Sequence, residues 1–428
     1  MSLKTAAAAA GIVWLGLAVS PTAAASNELY VSTSGDDAND GTSPAAPLRH
    51  IAAAMKKAVP GVAILIRAGT YPEQVVTETA GAPGQEIVLK SDQGTAVIDG
   101  SSQDWDSGKE QNQGLVELRH PYVRLAGLKV INSKNTGILL NADHLTIENC
   151  EVGMSQRHAI STHTDRQPNY QEKGPRPGWP IIRDITIKNC DIHHAPLAGH
   201  GFGQAVSLIA DGFLVSGNKV HDNVTEGIDI WLGAANGEVV DNEVYDNQRC
   251  GIFVDGASHV RIHRNRVFNG RRDGIGVSSE NPYYKTHHIW IYDNLIYDNA
   301  LVGIFVWDDK KNPAYKGSQD LLIVHNTLIN NQKLSFYLAG EDNSGRIVNN
   351  LIFPAENVFY SDAVNSDFDI RNNVQLKTLD GFASPGSKDF RLRRGSPAID
   401  AGEKIPDLAG SNRVIHGKPD AGCCEYEN

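Results

Sequence analysis

Glu226 and Asp229 flank a Gly-Ile pair in the stretch Asn223-Val-Thr-Glu-Gly-Ile-Asp-Ile-Trp231, and Asp255 and Asp273 stand beside the next two Gly-Ile pairs. Arg249 and Arg272 each lie two residues ahead of such a pair. Carboxylates gathered at one place repel unless a cation or arginines compensate them. Oxygen ligands of this kind suit Ca²⁺, which makes Glu226, Asp229 and Asp255 the candidate metal ligands. Two sugar chemistries use such a group. β-Elimination at a uronate needs the sugar carboxylate neutralised, by Ca²⁺ or by Arg249 and Arg272, then a base for the C5 proton and an acid for the departing O4. Inverting hydrolysis needs two carboxylic groups about 6.5–9.5 Å apart with room for a water. A C5-epimerase on a uronan, or a protein that binds an exopolysaccharide without catalysis, would use the same residues, and a ladder of arginines and carboxylates that staples neighbouring units together is the structural alternative.

Arg249, Arg272, Lys285 and Asp273 are the candidate catalytic groups. Arginine is a poor base at its usual pKa, so Lys285 is the better one if burial and neighbouring cations lower its pKa. Tyr283 or Tyr284 offers an acid, and His163 and His200 are further bases. Trp231 and Trp307 offer stacking faces, and Lys310 a charge, to a bound chain.

A repeat must position these residues. The pattern Ile/Val-x-x-Asn-x-Val/Ile recurs at Asn218, Asn242, Asn265, Asn294, Asn326, Asn350 and Asn373, and a Gly-Ile strand or a variant follows in most units. Short apolar alternations separated by Asn/Gly turns, at a period in the twenties, define a parallel β-helix. Its inward Ile and Val side chains stack into one core, while an asparagine repeated at one turn bonds its equivalents above and below. Cys150 and Cys190 occupy the asparagine position in two earlier coils, as a disulfide or as packed thiols. Three insertions, His163–Pro180, Glu280–His288 and Trp307–Asp320, leave after the Gly-Ile strand and should wall a groove with basic and aromatic residues.

The reading is all-β and single-domain: a signal peptide over 1–25, an N-terminal cap and first coils over 26–100, coils with groove-forming loops over 101–375, and a loop-rich tail over 376–428. The helical periodicity of His50–Val59 suits a cap on one end of the core, and the tail from Phe390 a cover for the other. Lys4, the apolar run from Ala6 to Val19 and the small residues before Ser26 read as an export signal, placing the mature protein in the periplasm or outside the cell. No later stretch approaches the ~20 apolar residues of a membrane span. A net charge of −11 leaves no basic stripe for nucleic acid. The expected partner is an acidic polysaccharide bound by a monomer.

The N-terminal segment Leu29-Tyr-Val-Ser-Thr-Ser-Gly35 through Gly69-Thr-Tyr-Pro-Glu73, and the ending Phe390-Arg-Leu-Arg-Arg-Gly-Ser-Pro-Ala-Ile-Asp400, resemble secreted right-handed parallel β-helix proteins, polysaccharide lyase family 9 among them. With the coils, the resemblance covers essentially the whole mature chain. It implies a right-handed β-helix and a pectate lyase-like activity assisted by Ca²⁺. That family binds Ca²⁺ through an Asp-Asp-Gly-x-Asp turn, which Thr225-Glu-Gly-Ile-Asp229 matches at Glu226 and Asp229 but not at Thr225. Gln204 stands where the family has a further Asp. The family's catalytic Lys, in Gly-Phe-Lys-Leu, has no counterpart in Gly251-Ile-Phe-Val254 or Gly274-Ile-Gly-Val277. Gly199-His-Gly201 is similar to a polygalacturonase motif, although it precedes the acidic coils.

Overall fold

Coils of parallel strands, stacked one upon the next, make up most of the described residues. The structure, a computed structural model, describes residues 27–104, 113–162, 181–197, 203–280, 283–308, 317–356, 358–361, 365–408, 415 and 417–426. The expected signal peptide, the insertion at 163–180 and most of the insertion after Trp307 lie outside these residues. Each regular coil contributes three strands, as in Ile228–Trp231, Ala235–Val240 and Glu243–Tyr245, followed by Ile252–Asp255, Ser258–His263 and Arg266–Phe268. All ladders between coil strands are parallel, and one face is an 11-stranded sheet running from Val75–Val76 to Phe359–Ser361. The other two faces join where the bent strand Ile87–Asp99 pairs with both Val123–Ala126 and Lys129–Ile131. The solenoid is a right-handed parallel β-helix.

Period-2 alternation explains why these residues make this core. Ile228, Ile252, Ile275 and Ile304 stack in register as one inner column, and Ile230, Val254, Val277 and Val306 form the next; all are 0% exposed. Each such side chain contributes about 1.5–3 kcal/mol of transfer free energy. The glycine of the Gly-Ile pair has a steric reason. A Cβ at Gly227 would lie 2.6 Å from the carbonyl oxygen of Gly251 in the next coil.

The corners require more than packing. At each ladder position the preceding residue is left-handed, with φ of 57° at Asp241, 53° at Arg264, 56° at Asp293 and 55° at His325. The turn exposes amides that neighbouring coils bury, and the asparagine column satisfies them. The backbone N–H and Nδ2 of Asn242 both donate to Asn265 Oδ1, at 3.0 and 2.9 Å, while Nδ2 also reaches the Val215 carbonyl at 2.9 Å. The same pattern links Asn218 to Asn242, and runs from Asn265 through Asn294, Asn326 and Asn350 to Asn373. A second column, five residues further on, joins Asn223 to Asn247 and Asn299 to Asn331. Gly270 interrupts it: its N–H still donates to Asn299 Oδ1 at 3.0 Å, but it offers Asn247 no side-chain acceptor, and Asn247 Nδ2 bonds the Val220 carbonyl alone. Cys150 and Cys190 sit in the first column as free, buried thiols, and the Cys190 N–H donates to Asn218 Oδ1 at 2.9 Å.

The N-terminal end is closed by the helix Ile51–Lys57, which buries Ile51, Ala54 and Met55. Its first amides, those of Ile51 and Ala52, donate to the carboxylate of Glu73 at 2.9 and 3.0 Å. The tail departs from expectation. Among the described residues it lies along the flank instead of over the far end, burying Leu376, Phe382, Phe390 and Leu392 against Tyr297, Ile329 and Leu351. Those outward side chains extend a stacked row, His221, Tyr245, Phe268 and Tyr297, whose apolar surface the tail covers.

Asn294→Ala is expected to cost about 3 kcal/mol or more, because it strands the Asn265 amides; urea denaturation measures this, and a smaller loss would show that water replaces the ladder. His263 is 5% exposed and stacked on Tyr292 at 4.6 Å, and burial holds its pKa down to about 4. An unfolded histidine titrates near 6.5. Between those values the unfolded chain binds the extra proton, so this residue's contribution is complete above about pH 6.5 and lost as pH falls toward 4. His263→Phe keeps the stack and should flatten that part of the melting-temperature profile between about pH 7 and pH 4.

Candidate functional site

The outer face of the 11-stranded sheet carries the chemistry. Strand register stacks Ser161, Ser207, Asp229, Phe253, Gly276, Phe305, Tyr337 and Tyr360 in one column. Trp231, Asp255, Ser278 and Trp307 form a second column two residues along. At the other end of the strands, the carbonyls of Glu226, Cys250, Asp273 and Val302 accept from the amides of Ala205, Gly227, Gly251 and Gly274. That bonding stacks the residues preceding each glycine. The acids therefore meet because they belong to successive coils.

Two adjoining hollows form a groove along this face. The larger, of about 440 Å³, is lined by Glu226, Arg249, Phe253, Arg272, Asp273, Glu280, Phe305 and Trp307, with Cys250 at its wall. The next, of about 230 Å³, shares Arg272, Asp273 and Phe305 and adds Lys333, Tyr337 and Tyr360. Phe305 stacks on Tyr337 with ring centroids 5.2 Å apart, giving an aromatic floor. Arg249 approaches Glu226 at 3.5 Å and Arg272 approaches Asp273 at 3.8 Å, and both arginines keep more than half of their side-chain surface exposed. Burial and nearby carboxylates hold the Cys250 thiol protonated, which removes it as a nucleophile.

The carboxylates are under electrostatic stress. Asp229 is buried, and its Oδ1 has no hydrogen-bond partner among the described residues. Burial, then Glu226, Asp255 and Glu280, push its pKa well above the usual carboxylate range. Asp255 accepts from the Glu280 amide at 2.7 Å and from the Ser278 hydroxyl at 3.4 Å; burial still raises it to about 6. Asp273 accepts from the Val302 amide at 3.2 Å, and burial outweighs Arg272 and Lys333 to raise its pKa as well. Glu226, Asp229, Asp255 and Glu280 supply carboxylate oxygens, the kind a hard cation takes, but among the described residues they do not converge as a metal-binding group of three.

Of the residues singled out from sequence, Glu226, Arg249, Arg272, Asp273 and Trp307 line the groove, with Asp229 and Asp255 buried in the same two columns. Trp231 donates its indole N–H to Ser207 at 3.1 Å on the Asp229 side of the face. Lys285 is not brought to the groove. Tyr284 packs its ring on Gly233, where φ is 93° and a Cβ would lie 2.7 Å from the ring. Thr286, buried, accepts from the Gly256 amide at 2.7 Å. Pinned on both sides, the chain turns Lys285 to solvent beside His287. Tyr283 is exposed. His163, His200 and Lys310 lie outside the described residues.

Sequence reasoning passed over Glu280 as an acid of the site and over Lys333 and Tyr360. Lys333 was legible: Asn331-Gln-Lys333 repeats Asn247-Gln-Arg249, and its amide bonds Leu301, whose own amide bonds Arg272. Asp229→Asn, an isostere without the charge, should raise stability by about 0.5–2 kcal/mol in chelator; a lower melting temperature would mean that the carboxylate is satisfied.

The family model described as Pel9A-like, right handed beta helix region matches residues 29–261, and the chain belongs to that family. A second, described as periplasmic copper-binding protein (NosD), matches residues 184–386. The uncharacterized protein YwoF of Bacillus subtilis (strain 168) is 28% identical over 348 residues, covering 72% of this chain and 70% of its own. The crystal structure of pectate lyase Pel9A superposes with a TM-score of 0.56 at 17% identity, covering 94% of this chain and 96% of its own. A rhamnogalacturonan lyase gives 0.53 at 14% identity, covering 89% and 97%. At such identities the likeness to the two solved structures is one of fold.

Proposed function

We propose that this protein is an exported polysaccharide lyase that cleaves a uronate-containing glycan by β-elimination. The observation that carries the reading is the row of cations, Arg249, Arg272 and Lys333, along an aromatic-floored groove that also presents buried acids. In a chain of net charge −11, three aligned cations select an anionic ligand, and the aromatic faces suit sugar rings. Membership of the Pel9A-like family supports the same substrate class, as does a fold shared with lyases of pectate and rhamnogalacturonan.

Arg249 and Arg272 hold the sugar carboxylate and withdraw charge from it, which acidifies the C5 proton. Asp273, made more basic by burial and held by the Val302 amide, takes that proton. The C5–H electrons form the C4=C5 double bond, the C4–O4 bond breaks, and the carboxylic acid of Asp273 returns the proton to O4. Glu226 and Asp229, with Asp255 and Glu280, would hold Ca²⁺; when bound, such an ion shares the neutralisation of the sugar carboxylate. The unpartnered buried oxygen of Asp229 supports that assignment.

A second reading, an inverting hydrolase or a C5-epimerase, is favoured by the burial that raises the pKa of Asp229, Asp255 and Asp273, since a carboxyl group kept protonated can serve as the acid of an acid–base pair. Ultraviolet absorbance during incubation with polygalacturonate, rhamnogalacturonan and alginate, each with calcium or chelator, separates the readings. Rising absorbance from the unsaturated product is expected, reduced at least ~100-fold in Asp273→Asn. New reducing ends without absorbance would install the hydrolase, and no product on any uronan would overturn the lyase.

A further inference from the structure

A second cluster of functional side chains lies away from the groove, on the sheet formed by the longer strands Ala235–Val240, Ser258–His263 and His287–Tyr292. One left-handed residue per coil stands near the start of these strands: Asn236, His259, His288 and Asp320 have φ of 55°, 55°, 55° and 53°. Strand register aligns the first three, and the His288 amide bonds the Gln319 carbonyl beside Asp320. The conformation also breaks the strand's alternation, so the adjacent His287 and His288 bring both rings to one surface. Their Nδ1 atoms are 2.9 Å apart, and His259 stacks on His288 from the coil below, ring centroids 4.6 Å apart at 18°. His287 meets both rings edge-on, at 5.3 and 5.1 Å.

We infer that His259, His287 and His288 bind a divalent transition-metal ion of the zinc, copper and nickel class. One ring nitrogen from each lies within 4.8 Å of the others. Tetrahedral coordination at about 2.0–2.1 Å draws such nitrogens to roughly 3.4 Å, within reach of side-chain rotation. Three imidazoles without a carboxylate among them suit this class and not Ca²⁺ or Mg²⁺. Asp320, whose Oδ2 is 3.7 Å from His288 Nδ1, is placed to orient that ring or to complete the set. A hollow of about 310 Å³, lined by Asn236, Arg261 and Trp290 as well as His259 and His288, adjoins the cluster, with room for water or a small ligand. The ion fastens two coils together and fixes the far end of the connection that begins at Glu280. Its ligands share no residue with the groove.

The test uses the full chain, free of any affinity tag and stripped with chelator. Zn²⁺ titrated by calorimetry should bind at one equivalent and raise the melting temperature, and Cu²⁺ should give an electron paramagnetic resonance spectrum with nitrogen hyperfine structure. His259→Asn and His288→Asn keep a side chain that tolerates the left-handed backbone, as Asn236 does in the coil below. Each should weaken Zn²⁺ binding at least about tenfold and remove the nitrogen signature, whereas His144→Asn, a histidine of the surface outside the cluster, should do neither. Undiminished Zn²⁺ binding and hyperfine structure in the double variant His259→Asn/His288→Asn would overturn the site, as would failure of Zn²⁺, Cu²⁺ and Ni²⁺ alike to bind the unaltered chain. Normal circular dichroism of the variants excludes misfolding as the cause of lost binding.

Discussion

Coils stacked at strand spacing, about 4.8 Å, leave no water between their corners, so every corner amide must find an acceptor in the neighbouring coil. This constraint decides the rest. A left-handed residue turns the chain, and an asparagine after it both donates to and accepts from its equivalents, closing the account without solvent. The two inner hydrophobic columns can then be continuous and water-free. Leucine or valine at the ladder position would pack as well and would strand two amides per coil. The hydrophobic stack supplies the driving force, and the ladder sets which register that force selects.

The same stacking makes the groove. Residues 22 or more apart in sequence become neighbours one coil rise apart, so the chain needs one outward residue per coil to write a row of cations, acids or aromatic rings. It writes all three, and the acids are placed where burial, and then one another, disfavour their charges. A protein selected for stability alone would put serine at Asp229, as it does in the two preceding coils of that column, Ser161 and Ser207. Strain kept at one place on an otherwise self-consistent scaffold marks function more firmly than the presence of acids does.

The fold was legible because its determinants are local and repeated: the asparagine column, the Gly-Ile strands and their alternation need only counting along the chain. The groove columns were legible for the same reason, and they correspond to the strand register from Ser161 to Tyr337. What escaped was set by contacts that do not repeat. Glu280 joins the acids because its own amide bonds Asp255. Lys285 leaves the groove because Tyr284 and Thr286 are pinned on either side of it. The tail lies on the flank because stacked aromatic rings there leave an apolar surface. The second asparagine column and Lys333 were visible as repeats of Asn-Gln-Arg/Lys and were passed over, although no tertiary contact concealed them.

The asparagine column also has a direction. In every link the amides of one coil donate to the side-chain oxygen of the coil that follows it in sequence, never the reverse. An incoming coil at the N-terminal side therefore needs to bring only a backbone N–H, which any residue except proline supplies; Cys190 serves there, bonded to Asn218. A coil added at the C-terminal side must bring an acceptor of its own. The solenoid is thus a polar filament whose two ends obey different composition rules: permissive toward the N terminus, strict toward the C terminus, with Asn373 the last side chain that meets the stricter one.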